Sequence, residues 1–250
     1  MNWKLIFPVV LLAAMSACKK DKDDTKVEST GMLHLKMHHF WDTDSLQLGT
    51  QRVHPITSDT FEFTTFKYYV SNIRLKNSDG SWYSVPESYY LLDLNTGNTA
   101  SISINNVPTG TYTDISLMFG VDSLRNVSGA QTGALSTVNG MFWSWNTGYI
   151  MMKAEGISPN SSSGSFAFHL GGFQGTNSVI KTKTFNLSGI ANSVISETSH
   201  GKIGLNINAA AMWNSSPNLA TVSDLQMAGA AANTMATDFV NGWTLSYVNN

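Results

Sequence analysis

From residue 31 to residue 41 the chain changes character at every step. Leu33, Leu35, Met37, His39 and Trp41 fall on one side of an extended strand, and His34, Lys36, His38 and Phe40 fall on the other. A period of two belongs to a strand with one face turned to a core. The same period returns at residues 112–121, where Ile115, Leu117, Phe119 and Val121 point inward. Residues 60–77 form another β-rich stretch, and Asp79-Gly80 supplies a hairpin turn before the return at Trp82. Shorter strands are predicted near residues 89–94, 101–104, 165–170, 180–187, 202–207 and 243–248. Residues 128–139 read as a loop, and the Ala- and Met-rich residues 218–237 as a helix or a long loop. Many short strands separated by turn signals predict an all-β fold, an antiparallel two-sheet β-sandwich formed as a single domain over residues 31–250.

The first thirty residues have a different logic. Lys4 precedes an apolar run, Leu5 onward, that is too short to span a bilayer, and Met15-Ser16-Ala17-Cys18 follows. Cys18 is the only cysteine, so it has no disulfide partner within the chain. Small residues before that cysteine fit a lipobox, with Met15 in place of the usual Leu. The expectation is a signal peptide over residues 1–17, acylation of Cys18, and a charged tether through residue 30. Acyl chains at one cysteine anchor firmly. The predicted location is the outer membrane, facing the periplasm or the cell surface, with membrane contact through the lipid alone.

Composition removes several functions. Charged residues make up 13% of the chain and the net charge is −2, with no basic stripe to track a phosphate backbone, so nucleic acid is not an expected partner. No nucleophile elbow, phosphate loop or zinc-protease motif is present, and the chain is not read as an enzyme. The six histidines remain. His39 lies on an inward face, where an imidazole must be hydrogen-bonded or ligating. His169 shares its face with Ala167 and Gly171, whose small side chains suit a ligand or close packing. Trp143 and Trp145 share a face if their segment is extended, as aromatic core or as something more.

Four blocks carry a family likeness: Phe66 through Leu75, Gly120 through Asn126, Gly140 through Tyr149, and Phe168-His169-Leu170-Gly171-Gly172-Phe173. In that order, over nearly the whole mature chain, they resemble the MbnP-like domain family, which includes Bacteroidetes lipoproteins and is related to surface copper proteins of methanotrophs. The resemblance implies a β-sandwich that binds copper. It further implies histidine ligands matching His39 and His169, and a tryptophan (Trp145 or Trp143) oxidised to kynurenine by a di-haem, cytochrome c peroxidase-like partner. One departure stands out: relatives often end His-Val-His, and this chain ends Tyr247-Val248-Asn249-Asn250.

The functional expectation is a lipid-anchored copper-binding protein of the cell envelope, used in copper acquisition or handling. The alternative is a metal-free binding module that engages a glycan or another envelope protein.

Overall fold

The computed structural model describes residues 29–97, 99–129, 131–143 and 148–250. The expected signal peptide, Cys18, most of the expected tether and Trp145 lie outside the described residues. The chain begins with β1 (Thr30–Trp41), β2 (Asp44–Ser45), β3 (Gln51–Val53) and the long β4 (Thr60–Asn77). Next come β5 (Trp82–Ser84), β6 (Tyr89–Asp93), β7 (Thr99–Pro108) and β8 (Gly110–Phe119). The short α1 (Ser123–Asn126) precedes β9 (Ile150–Ile157), β10 (Ser165–Gly171), β11 (Lys181–Asn186) and β12 (Ser193–Ile195). The last elements are β13 (Gly201–Asn208), β14 (Asp224–Leu225), α2 (Ala230–Asn241) and β15 (Trp243–Asn249).

These strands make two sheets. The smaller runs β15-β13-β1, with β7 on the other edge of β1 and β2 at its end. The larger is organised by β4, which pairs with β9 over residues 62–68 and with β8 over residues 70–77. Beyond these lie β10 and β11, while β3, β5 and β6 also pair with β4. A bulge between Ser71 and Arg74, with Asn72 at φ 49°, lets β4 change neighbours. The Asn72 side chain donates to Asp122 at 3.0 Å, which holds the left-handed turn. The β-sandwich is as the alternation predicts, with one refinement. Two pairings, β1 with β13 and β10 with β14, are parallel, so the sheets are mixed.

The core lies between the sheets. The inward face of β1 (Leu33, Leu35, Met37, His39, Trp41) meets Phe61, Phe63, Phe66 and Tyr68 of β4. Trp213 sits 4.5 Å from Phe61, 5.9 Å from Trp41 and 5.3 Å from Phe168, ring centre to ring centre. Rings of that size at such separations contribute roughly 1.5–3 kcal/mol each through burial, with tilted contacts adding to it. The helix α2 closes one end of this core through Phe239, packed on Tyr68, Phe119 and Trp243. Lys183 from β11 reaches the end of α2 and donates to the carbonyls of Val240, Asn241 and Trp243, a cation placed where the helix dipole favours one.

His54 shows how the core treats an imidazole. It is fully buried, its Nδ1 accepts from the amides of Ile56 and Thr57, and its Nε2 lies 3.0 Å from the Ala210 carbonyl. Nδ1 therefore carries the lone pair and Nε2 the proton, so both nitrogens are committed to backbone. Burial holds this imidazole below its ordinary 6.5. The folded state refuses a proton that the unfolded chain accepts, so the stabilisation is complete above about pH 6.5 and drains as pH falls through the lower folded value. Replacing His54→Phe is expected to cost about 3 kcal/mol near neutral pH, because three backbone groups lose their partners. In urea unfolding, the gap between wild type and this variant should narrow steadily as pH is lowered from about 7.5 to 5. A gap independent of pH would show that His54 is not held neutral.

Candidate functional site

Alternation along β1 delivers His39 to the space between the sheets, where it is 1% exposed. Its Nε2 is 2.8 Å from the Tyr68 hydroxyl, and its ring meets Phe66 and Tyr68 edge-on. Burial raises the Tyr68 hydroxyl far above the ordinary phenol range, so Tyr68 remains a neutral partner. His39 is thus a core histidine whose Nε2 is satisfied within an aromatic cluster.

His169 is positioned by β10. Phe166 and Phe168 turn inward, the latter onto Trp213, so His169 turns to the outer face of the large sheet. Register fixes its surroundings. One row across that face reads Asp93, Lys67, Lys153, His169, and the next reads Thr65, Glu155, Ala167, Asp224. His169 Nε2 lies 2.5 Å from Glu155 Oε1, Lys153 lies 4.0 Å from the same oxygen, and Lys67 pairs with Asp93 at 2.9 Å. Desolvation is the largest influence on His169 and lowers its affinity for a proton; Glu155 opposes this and Lys153 reinforces it. The result is a neutral imidazole whose Nε2–H donates to a carboxylate, leaving the lone pair on Nδ1.

The two expected ligands do not meet. His39 touches Tyr68, and Tyr68, Met152 and Leu170 form one row across β4, β9 and β10. Two strand spacings of about 4.8 Å separate that row's ends, and His169 projects from the opposite face. One ion cannot reach both while the sheet is intact. Among the described residues, no group of three or more His, Cys, Asp or Glu is placed to hold a metal ion.

Trp143 belongs to the His169 side. It is buried, and it lies over Gly171, two residues beyond His169 on the same strand face. Its neighbours in the chain, Phe142 and Tyr149, form an edge-to-face pair, and Tyr149 packs on Tyr69 of β4. Trp143 and Tyr149 thus cover part of the outer face of the sheet. The outward-facing His34 and His38 are half-buried on the other sheet. Sequence reasoning missed Glu155 and Asp224. Glu155 alternates with apolar neighbours in residues 150–157, and only the β9–β10 register shows that it faces His169.

A side chain at Gly171 has no room, because a methyl there would sit 2.3 Å from ring carbons of Trp143. Gly171→Ala should therefore lift Trp143 off the sheet, at a cost of about 1–3 kcal/mol in stability. The check is tryptophan emission read against a Trp143→Phe control. A red shift on Gly171→Ala that vanishes when Trp143→Phe is also present is expected; unchanged emission and melting temperature would refute the contact.

Comparison with known proteins agrees with this architecture. The chain superposes on the solved structure of MbnP from Methylosinus trichosporium with a TM-score of 0.52 at 15% identity, over 82% of this chain and 83% of that one. At that identity the likeness is one of fold. No curated protein matches significantly in sequence. The MbnP family model matches residues 30–235, from the first strand into α2, and includes the Phe-His-Leu-Gly-Gly block that bears His169 and Gly171. The chain belongs to the MbnP family.

Proposed function

We propose that this chain is a lipid-anchored copper-binding protein of the cell envelope, serving acquisition or handling of the ion, with His169 as its principal ligand. The observation that carries this reading is the His169–Glu155 pair: a neutral imidazole oriented through one nitrogen by a carboxylate, its other nitrogen holding a lone pair. Metal-bound histidines have this support, since it sets the tautomer and raises ligand basicity. Bound copper supplies one-electron chemistry and a strong preference for nitrogen and sulfur donors. Glu155 orients, Lys153 and Asp224 set the local field, and Trp143 keeps water from one side. Trp143 or Trp145 is the residue that a di-haem, cytochrome c peroxidase-like partner would convert to kynurenine. His39 belongs to the core in this reading. The C-terminal Asn250 is fastened to Asn192 and Val194, and so is engaged away from β10.

A second reading keeps the fold without the metal. A cleft of about 500 Å³ is lined by Glu87, Tyr89, Arg125, Gln131 and Thr132. Its amide, hydroxyl and guanidinium groups suit a glycan or an envelope protein. Saturable binding of envelope glycan, abolished by Arg125→Ala in protein that takes up no copper, would move the assignment there.

The deciding measurement is metal content and intact mass of protein purified from its native host. One copper per chain that depends on His169 is expected, with His169→Ala lowering affinity at least tenfold, Glu155→Gln lowering it about tenfold, and His39→Asn leaving it unchanged once refolding is verified. A proton competes with the metal only below the ordinary imidazole value of 6.5, because burial weakens proton binding at His169. Copper should therefore be retained at about pH 6.5 and lost on further acidification. Equal copper in wild type and His169→Ala would defeat this reading.

A further inference from the structure

The outer face of the small sheet carries a second group of soft and borderline donors, well away from His169. β1 and β13 run parallel, with Leu33 opposite Gly201 and His34 opposite Lys202. His200, two residues before Lys202, therefore shares the face of His34 and lies diagonal to it. The two imidazole rings are 5.8 Å apart, centre to centre, and tilted by 52°. Met32 precedes His34 by two residues on β1 and shares its face, which alternation withholds from the buried Leu33. Met32 and His34 are half-buried and His200 is exposed, so the group opens to solvent.

The spacing suits a shared ion. With metal–nitrogen bonds of about 2.0–2.1 Å, two imidazoles on one metal have centres roughly 5.2 Å apart at a tetrahedral angle and roughly 6.3 Å apart when opposed. The observed 5.8 Å falls within that interval. His34 Nδ1 is 3.1 Å from Ser103 Oγ on β7. When Nδ1–H donates to that hydroxyl, Nε2 is left as the ligating atom and the ring is oriented from behind. The cross-strand neighbours of His34 are Ser103 and Lys202, one neutral and one cationic. This face therefore gives little electrostatic help to a divalent cation that depends on carboxylates. A thioether with two imidazoles favours a soft ion of low charge.

We propose that Met32, His34 and His200 form a second metal site on the outer face of the small sheet, selective for cuprous ion. The site stands independently of His169 and uses no residue of that centre. Its donors lie on an open strand face, so an ion can enter and leave without disturbing the core. That property suits transfer between proteins more than storage.

The test is anaerobic titration of the mature chain with cuprous ion buffered by a chromophoric chelator. Wild type should hold about one equivalent more than His200→Asn or His34→Asn, both on the surface of the sheet and both expected to fold normally. Met32→Leu should weaken cuprous binding about tenfold while leaving zinc uptake unchanged, the signature of a thioether ligand. A His169→Ala chain should retain this equivalent, which separates failure of the present site from failure of the other. Identical cuprous stoichiometry and affinity in wild type and His200→Asn would overturn the proposal, as would equal losses of zinc and cuprous ion in Met32→Leu.

Discussion

β4 carries large side chains on both of its faces, and a sheet built around such a strand must be covered on both sides. Phe61, Phe63, Phe66 and Tyr68 point into the sandwich, while Tyr69 points out, and all five are fully buried. The small sheet covers the inner face. On the outer face, Leu135, Met141, Trp143 and Tyr149 supply the cover, and the Tyr69 hydroxyl donates to the Ala134 carbonyl beneath it. This roof reaches as far as Gly171, whose missing side chain lets Trp143 rest directly on backbone. His169 stands at its margin, partly desolvated by a structure whose first task is to bury Tyr69.

That position explains the chemistry of His169. Full burial, as at His54, leads to an imidazole consumed by backbone partners. Full exposure would leave it protonated on mild acidification. At the margin, desolvation disfavours the charged form while Glu155 supplies one well-placed acceptor. Lys153 tilts the balance further towards the neutral ring, because it sits in the same cross-strand row. The row of Asp93, Lys67, Lys153 and His169 therefore acts as a unit: the Lys67–Asp93 pair neutralises its far end, and the cationic influence on His169 comes from Lys153.

Alternation made the sandwich legible, because a period of two is a direct imprint of a half-buried strand. Leu33, Leu35, Met37, His39 and Trp41 on β1, and Ile115, Leu117, Phe119 and Val121, are buried as their spacing predicts. The parallel pairing of β1 with β13 was not legible, since partners so far apart in sequence leave no local mark. The helix was placed only in part. Within residues 218–237 the alanines cluster from Ala228 onward, and α2 begins only at Ala230 and continues through Phe239 and Val240. The residues before it fold otherwise: Asn218 holds Thr221 in a turn, Asp224–Leu225 pairs with β10 as β14, and Gly229 precedes the helix, whose Phe239 packs on Tyr68. At the site, the outward direction of His169 follows from Phe166 and Phe168 alone. Its partner Glu155 does not, because pairing register is a tertiary fact.

The histidines of this chain form a series in which the face occupied decides the role. His54 and His39 are both buried and both engaged by protein groups, one by backbone and one by a tyrosine hydroxyl. A metal that took the engaged nitrogen of either ring would displace a hydrogen bond inside an apolar core. His169 makes a single strong contact to a carboxylate, the type of contact that ligation preserves and uses. His34 and His200 face solvent, with the Ser103 hydroxyl behind the first and its ring beside the second. The inner faces thus hold His39 and His54 in hydrogen bonds within the core, whereas His34 and His169 lie on outer faces.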